Sequence, residues 1–151
     1  MAYQKNFTGI PFKVLLDKGH KRLPVTHSRM TRFIITLDQA IDLLDYAYKT
    51  RKENHGCVIV PRLKSLTIMD LAEAMGGRPE IVGIRPGEKL HEEMVSVEES
   101  MKVRDEDKYL VITQDYINAN KLGFRGESFA SDSQLMTKAQ LKSYLKRVGV
   151  I

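Results

Sequence analysis

A chain of 151 residues, 42% apolar and 28% charged, has the size and make-up of one soluble globular domain. Its single cysteine, Cys57, excludes an intrachain disulfide, and no apolar run approaches the roughly 20 residues a membrane span needs. The net charge of +5 is uneven: from Met1 to Arg32 seven Lys and Arg residues stand against one acid, Asp17. That stretch reads either as a solvated basic face or as a surface for a phosphate-bearing partner. The start, as far as Lys13, has no apolar run suited to a signal peptide, so a cytoplasmic protein is expected.

In chain order, Ile10 to Lys18 carries apolar residues at helical spacing, and Gly19 stands where a helix-terminating glycine belongs. Arg22 to Thr26 is a short extended segment. Thr36 and Gln39 form a capping box, and behind them Leu37, Ala40, Ile41, Leu44, Ala47 and Tyr48 share one helical stripe. Cys57 to Val60 reads as a buried strand stopped by Pro61. Thr67 caps a helix from Ile68 to Met75 that Gly76-Gly77 ends. Glu80 to Ile84 is a further strand, and Pro86-Gly87 opens a polar helical segment from Glu88 to Met94. Ser96 with Glu99 forms another capping box, Lys108 to Ile112 is a strand, and Thr137 with Gln140 caps a last helix reaching Arg147. Gln114 to Met136 is the least patterned region and is expected to be loop. The alternation predicts an α/β fold in one domain spanning 1–151.

Several kinds of chemistry are poorly matched. Gly76-Gly77 and the Gly123/Gly126 pair lack the spacing and the strand-to-helix setting of a dinucleotide fingerprint. Tyr48 and Lys52 have a Tyr-x-x-x-Lys spacing with Thr36 upstream, yet Tyr48 continues an apolar stripe and Thr36 serves as a cap. No catalytic residue is therefore assigned. His20, His27, His55 and His91 show no metal-ligand spacing, and Cys57 has no second thiol, so no metal site is expected.

Two segments are harder to explain by packing alone. Arg29-Met30-Thr31-Arg32 places an arginine ahead of an apolar run and a helix cap. Val82-Gly83-Ile84-Arg85-Pro86-Gly87-Glu88 ends a strand in an arginine, turns, and presents an acid three residues on. An arginine's planar fork suits phosphate oxygens, and ligands of α/β proteins gather at strand ends. Glu88 is placed either to accept from ribose hydroxyls or to pair with Arg85.

These segments, Met30-Thr31-Arg32-Phe33 and Gly83-Ile84-Arg85-Pro86-Gly87-Glu88-Lys89-Leu90-His91-Glu92, resemble the paired signatures of UDP-N-acetylglucosamine 4,6-dehydratases. The likeness is greatest to the C5-inverting enzyme of pseudaminic acid biosynthesis and its capsular and flagellar-glycosylation relatives. It runs from about Ile10 to the end, and Ser131 to Leu145 resembles the family's Ser-rich turn and last helix. The resemblance implies the C-terminal, substrate-binding portion of an extended short-chain dehydrogenase, without the N-terminal Rossmann half that carries NADP and the catalytic Tyr and Lys. It places Arg32 on the diphosphate or adjoining ribose, Arg85 on the diphosphate from the other side, and Glu88 on the ribose. Arg22, Leu23 and Pro24 resemble the strand that runs beside the uracil through backbone contacts. His27, Ser28, His55 and Cys57 depart from the family pattern, and none touches the implied clamp.

The function expected is UDP-sugar binding without catalysis or a cofactor in this chain. The alternatives are one subunit of a split dehydratase paired with a Rossmann-half partner, a homo-oligomer, or an inactive remnant. A basic nucleic-acid-binding module is the weakest reading, because no interleaved aromatics accompany the basic stretch.

Overall fold

The computed structural model describes residues 10–114 and 126–151. Lys5, Gly123 and residues 115–125 of the expected loop lie outside the described residues. The described chain forms two compact units, neither continuous in sequence. The first takes residues up to Leu37, Lys64–Glu92 and Ser131–Ile151, and the second takes Asp38–Leu63 and Glu93–Ala130.

In the first unit, α1 (Ile10–Asp17) ends as its glycine predicts. Gly19 adopts φ 84°, its N–H reaches the Leu16 carbonyl at 2.8 Å, and the next N–H, of His20, reaches Leu15 at 3.0 Å. Those are the paired bonds of a Schellman cap. Strand β1 (Arg22–Val25) runs parallel to β5 (Arg78–Ile81), and β2 (Thr31–Ile34) runs antiparallel to β4 (Lys64–Thr67). Helix α3 (Ile68–Ala74) leaves β4 directly, its first turn capped by Thr67 Oγ1 accepting from Asp70 N–H at 3.0 Å. Helix α5 (Lys138–Arg147) starts with both bonds of the Thr137–Gln140 capping box in place. The core collects Leu23 and Val25 of β1, Ile34, Leu66, Leu71, and Leu141 and Leu145 of α5, each 2% exposed or less. Burial of these side chains, at about 25 cal/mol per Å² of apolar surface, holds the two small sheets against α3 and α5.

In the second unit, β3 (Val58–Pro61), β8 (Tyr109–Ile112) and β7 (Val103–Glu106) form an antiparallel sheet with β8 central. Strands β7 and β8 are joined through Asp107-Lys108, and Asp107 takes the positive φ of 55° that a two-residue hairpin requires. Strand β6 (Glu93–Val95) pairs with β9 (Phe129–Ala130), and α4 (Val97–Ser100) opens with the expected Ser96–Glu99 box.

Three expectations are corrected. The strand expected over Glu80–Ile84 lies at Arg78–Ile81. The strand expected as buried at Cys57–Val60 lies at Val58–Pro61, with Val58 58% exposed and Cys57 half-buried. No helix forms over Glu88–Met94, whose end is strand β6. Helix α2 (Leu37–Lys49) exists as predicted, but none of its residues is buried, and Leu44 and Tyr48 are 69% and 67% exposed. Among its contacts with the second unit's sheet is that of Tyr46, outside the apolar stripe, stacked on Tyr109 with ring centroids 4.1 Å apart.

Candidate functional site

Strand β2 buries Thr31, Phe33 and Ile34 and leaves Arg32 half-exposed. A guanidinium partly removed from water needs acceptors on its donors. Among the described residues Arg32 has four partners: it donates to the Thr31 carbonyl at 2.7 Å and the Leu90 carbonyl at 3.3 Å, and pairs with Glu92 at 3.4 Å and Glu88 at 3.7 Å. The backbone repeats the connection, since Thr31 N–H donates to Leu90 O at 3.1 Å. Arg32 is thereby fixed against the segment Glu88–Glu92.

That segment is shaped by a turn. Glu88 N–H donates to the Arg85 carbonyl at 3.0 Å, and Gly87 takes φ 80°. Proline followed by a positive-φ glycine inside such a bond is the pattern of a type II turn. Glu88 Oε2 reciprocates by accepting from Arg85 N–H at 3.2 Å, and Oε1 accepts from the Thr26 hydroxyl at 3.4 Å. The turn, and not a helix start, is what Pro86-Gly87 encodes. A Cβ at Gly87 would meet open space, so Gly87→Ala is opposed by conformation alone. It is expected to lower stability by roughly 1 kcal/mol in thermal unfolding.

The structure therefore brings Arg32 and Glu88 together and holds Arg85 and Glu88 at the two ends of one turn. Arg85 is exposed, and its guanidinium pairs with no carboxylate among the described residues. In β1, Arg22 is exposed and pairs with Glu80 at 3.4 Å, Pro24 is exposed, and Leu23 is fully buried. The Leu23 side chain thus belongs to the core. One edge of β1 bonds to β5, and no strand of the described residues occupies the other.

Further residues converge here that the sequence reading did not assign. Glu92 is the second carboxylate on Arg32. Thr31, 2% exposed, has its hydroxyl 2.7 Å from His91 Nδ1 and 2.6 Å from Ser131 Oγ, and Ser131 Oγ accepts from Glu92 N–H at 2.9 Å. The signal available was that Thr31, His91 and Ser131 each sit in a segment carrying the family likeness. Arg32, Arg85, Glu88 and Glu92 together balance in charge, so an incoming anion must compete with carboxylates for Arg32. A separate open groove of about 470 Å³, lined by Lys64, Gln134, Gln140, Ser143 and Arg147 among others, shares none of these residues.

A dinucleotide cradle needs a glycine turn between a strand and a helix N-terminus. The described residues contain none: Gly19, Gly76, Gly77 and Gly149 follow helices, Gly56 and Gly126 precede strands, Gly83 precedes the Arg85 turn and Gly87 lies within it. The described residues thus supply no such cradle for a nicotinamide cofactor. No helix of the described residues is long and apolar enough to cross a membrane, and none of their His, Cys, Asp and Glu residues group as a metal site.

A family model described as polysaccharide biosynthesis protein matches residues 10–114. The chain is 33% identical over 138 residues to the inverting UDP-N-acetylglucosamine 4,6-dehydratase of Campylobacter jejuni, covering 81% of this chain and 41% of that protein. It is 34% identical over 112 residues to the UDP-glucose 4-epimerase of Rickettsia bellii, covering 70% of this chain and 32% of the relative. It thus spans less than half the length of these curated relatives. The X-ray structure of Pen from Bacillus thuringiensis superposes with a TM-score of 0.78 at 23% identity, over 93% of this chain and 45% of that one.

Proposed function

Because this chain belongs to the polysaccharide biosynthesis protein family, as a partial member of its dehydratase branch with the α/β fold of part of an extended short-chain dehydrogenase, we propose that it binds the UDP moiety of a nucleotide sugar. In this reading it performs no catalytic step alone and works in the cytoplasm, where nucleotide sugars are made. The observation that carries the proposal is the Arg85–Glu88 turn, whose Glu88 carboxylate both holds the Arg85 backbone N–H and pairs with Arg32. The two curated relatives are named for different reactions on different hexoses, yet both names contain a UDP-sugar. A segment similar to both is the natural place for the shared diphosphate and nucleoside.

Each residue then has a task. A diphosphate draws Arg32 from Glu88 and Glu92 and meets Arg85 from the exposed turn, each contact a charge-assisted hydrogen bond. Glu88, released, accepts from ribose hydroxyls. The open edge of β1 offers backbone groups to the uracil.

Titration calorimetry with UDP tests this directly. Binding is expected, with Arg85→Ala weakening it about 10-fold, or roughly 1.4 kcal/mol. No binding by the wild type, or equal binding by the variant, overturns the reading.

A second reading rests on α2. Ile41, Leu44 and Tyr48 lie exposed at helical spacing, a stripe suited to a covering partner. A separate polypeptide carrying a nicotinamide-binding half would make this chain one subunit of a split dehydratase. Co-purification of the two, with dehydration of UDP-N-acetylglucosamine only by the mixture, is the expected result.

A further inference from the structure

Three stretches far apart in sequence, Met30-Thr31-Arg32, Leu90-His91-Glu92 and Ser131-Asp132, meet at one buried hydroxyl, that of Thr31. One direction of their hydrogen bonds gives every buried hydroxyl proton an acceptor. Ser131 Oγ accepts from Glu92 N–H and is fully buried, and the acceptor within reach of its own proton among the described residues is Thr31 Oγ1 at 2.6 Å. Thr31 then gives its proton to His91 Nδ1 at 2.7 Å, which in the neutral ring makes Nδ1 the acceptor and leaves the hydrogen on Nε2. Nε2 faces Asp132, 3.9 Å away. Ser131 and Thr31 are 0% and 2% exposed, so each hydroxyl depends on this chain for its partners.

We propose that His91 is a positioning residue for the UDP clamp. Its acceptor nitrogen anchors Thr31, and Thr31 and Leu90 are the residues whose carbonyls hold the Arg32 guanidinium. The ring lies between Leu90 and Glu92, the residues that supply one of those carbonyls and one of Arg32's carboxylates. Loss of the acceptor leaves a buried hydroxyl proton without a partner and loosens the Thr31–Leu90 junction, so Arg32 loses its set direction. The proposal rests on the UDP-binding reading for its consequence but not for its geometry.

The full chain tests it by two routes. The first is ¹⁵N NMR without ligand, which reads the His91 ring tautomer and the solvent exchange of the Arg32 Nε–H. The Nε2–H tautomer is expected. Exchange at Arg32 should be about 10-fold faster in His91→Leu and in Thr31→Val, and close to wild type in His91→Asn, whose Oδ1 replaces Nδ1 as acceptor. The second is UDP calorimetry at a temperature well below the unfolding midpoint of each variant. About 10-fold weaker binding is expected in His91→Leu, with recovery to within about 2-fold in His91→Asn. The Nδ1–H tautomer, or Arg32 exchange unchanged in His91→Leu, overturns the proposal. So does UDP binding that His91→Leu leaves intact. Failure of the wild type to bind UDP, with the exchange pattern as expected, rejects the UDP reading and leaves the positioning role of His91 supported.

Discussion

Arg32→Ala is expected to weaken UDP binding by about 50-fold, or roughly 2.3 kcal/mol, well beyond the effect of Arg85→Ala. The difference follows from surroundings. Arg85 is exposed and its charge is screened, whereas Arg32 is 22% exposed and held in place by two backbone carbonyls. Removing Arg32 also strips Glu88 and Glu92 of their cation, leaving two carboxylates where the proposed function seats a diphosphate. The same geometry predicts a change of opposite sign. Glu92→Gln removes a competitor for Arg32 while keeping a side chain able to accept a hydrogen bond, so UDP should bind about 3-fold more tightly. Arg32→Lys retains charge but not the fork, and should recover only part of the loss. Calorimetry at two salt concentrations checks the series: the gain in Glu92→Gln should shrink as salt rises. Arg32→Ala binding like the wild type, or Glu92→Gln binding more weakly, would remove Arg32 from the clamp.

How much of this was legible in the sequence depended on the range of the interaction concerned. Thr67, Ser96 and Thr137 were readable as caps because a cap is settled within four residues, and all three make the expected bonds. Pro86-Gly87 was misread because proline serves equally at the first position of a helix and at the second position of a type II turn. What decides it is the sign of φ at Gly87, together with a Glu88 carboxylate that folds back on Arg85 rather than extending along a helix. The α2 stripe was read correctly as a period, yet a period cannot say which face a neighbour covers. Strands β4, β6, β7 and β9, of two to four residues, are too short to show alternation. The chain passes between the two compact units repeatedly, so no single boundary in the sequence marks them. Within the candidate site, the motifs in the sequence point to Arg32, Arg85 and Glu88. The tie between Thr31 and Ser131 spans 100 residues, and nothing local in either segment announces it.

Gly77→Ala should destabilise the protein by about 3 kcal/mol, while Gly76→Ala, one residue away, should cost roughly 1. The two glycines are required for different reasons. Gly76 closes α3 at φ 83°, and a Cβ there would meet nothing within 4 Å, so its replacement pays only for an unfavourable backbone conformation. At Gly77 an added Cβ would fall inside contact distance of Leu23 Cδ1, 2.6 Å from its Cγ and 3.4 Å from the Ala72 carbonyl. Leu23 is fully buried among Leu66, Leu71 and Leu145, so it has no open space into which to turn. The Gly77 N–H is also tied to Ala72 O at 3.0 Å, which keeps the backbone from retreating. Relief must therefore come from moving β1, the strand proposed to run beside the uracil, against β5. Urea unfolding of both variants measures the stability difference, and a double-mutant cycle with Leu23→Ala identifies its cause. If the clash is responsible, the two substitutions together should cost clearly less than the sum of each alone. Equal losses at Gly76 and Gly77, or strict additivity with Leu23→Ala, would instead make backbone conformation the whole effect. UDP affinity adds the functional link: it should fall in Gly77→Ala and stay unchanged in Gly76→Ala, because only the former displaces β1.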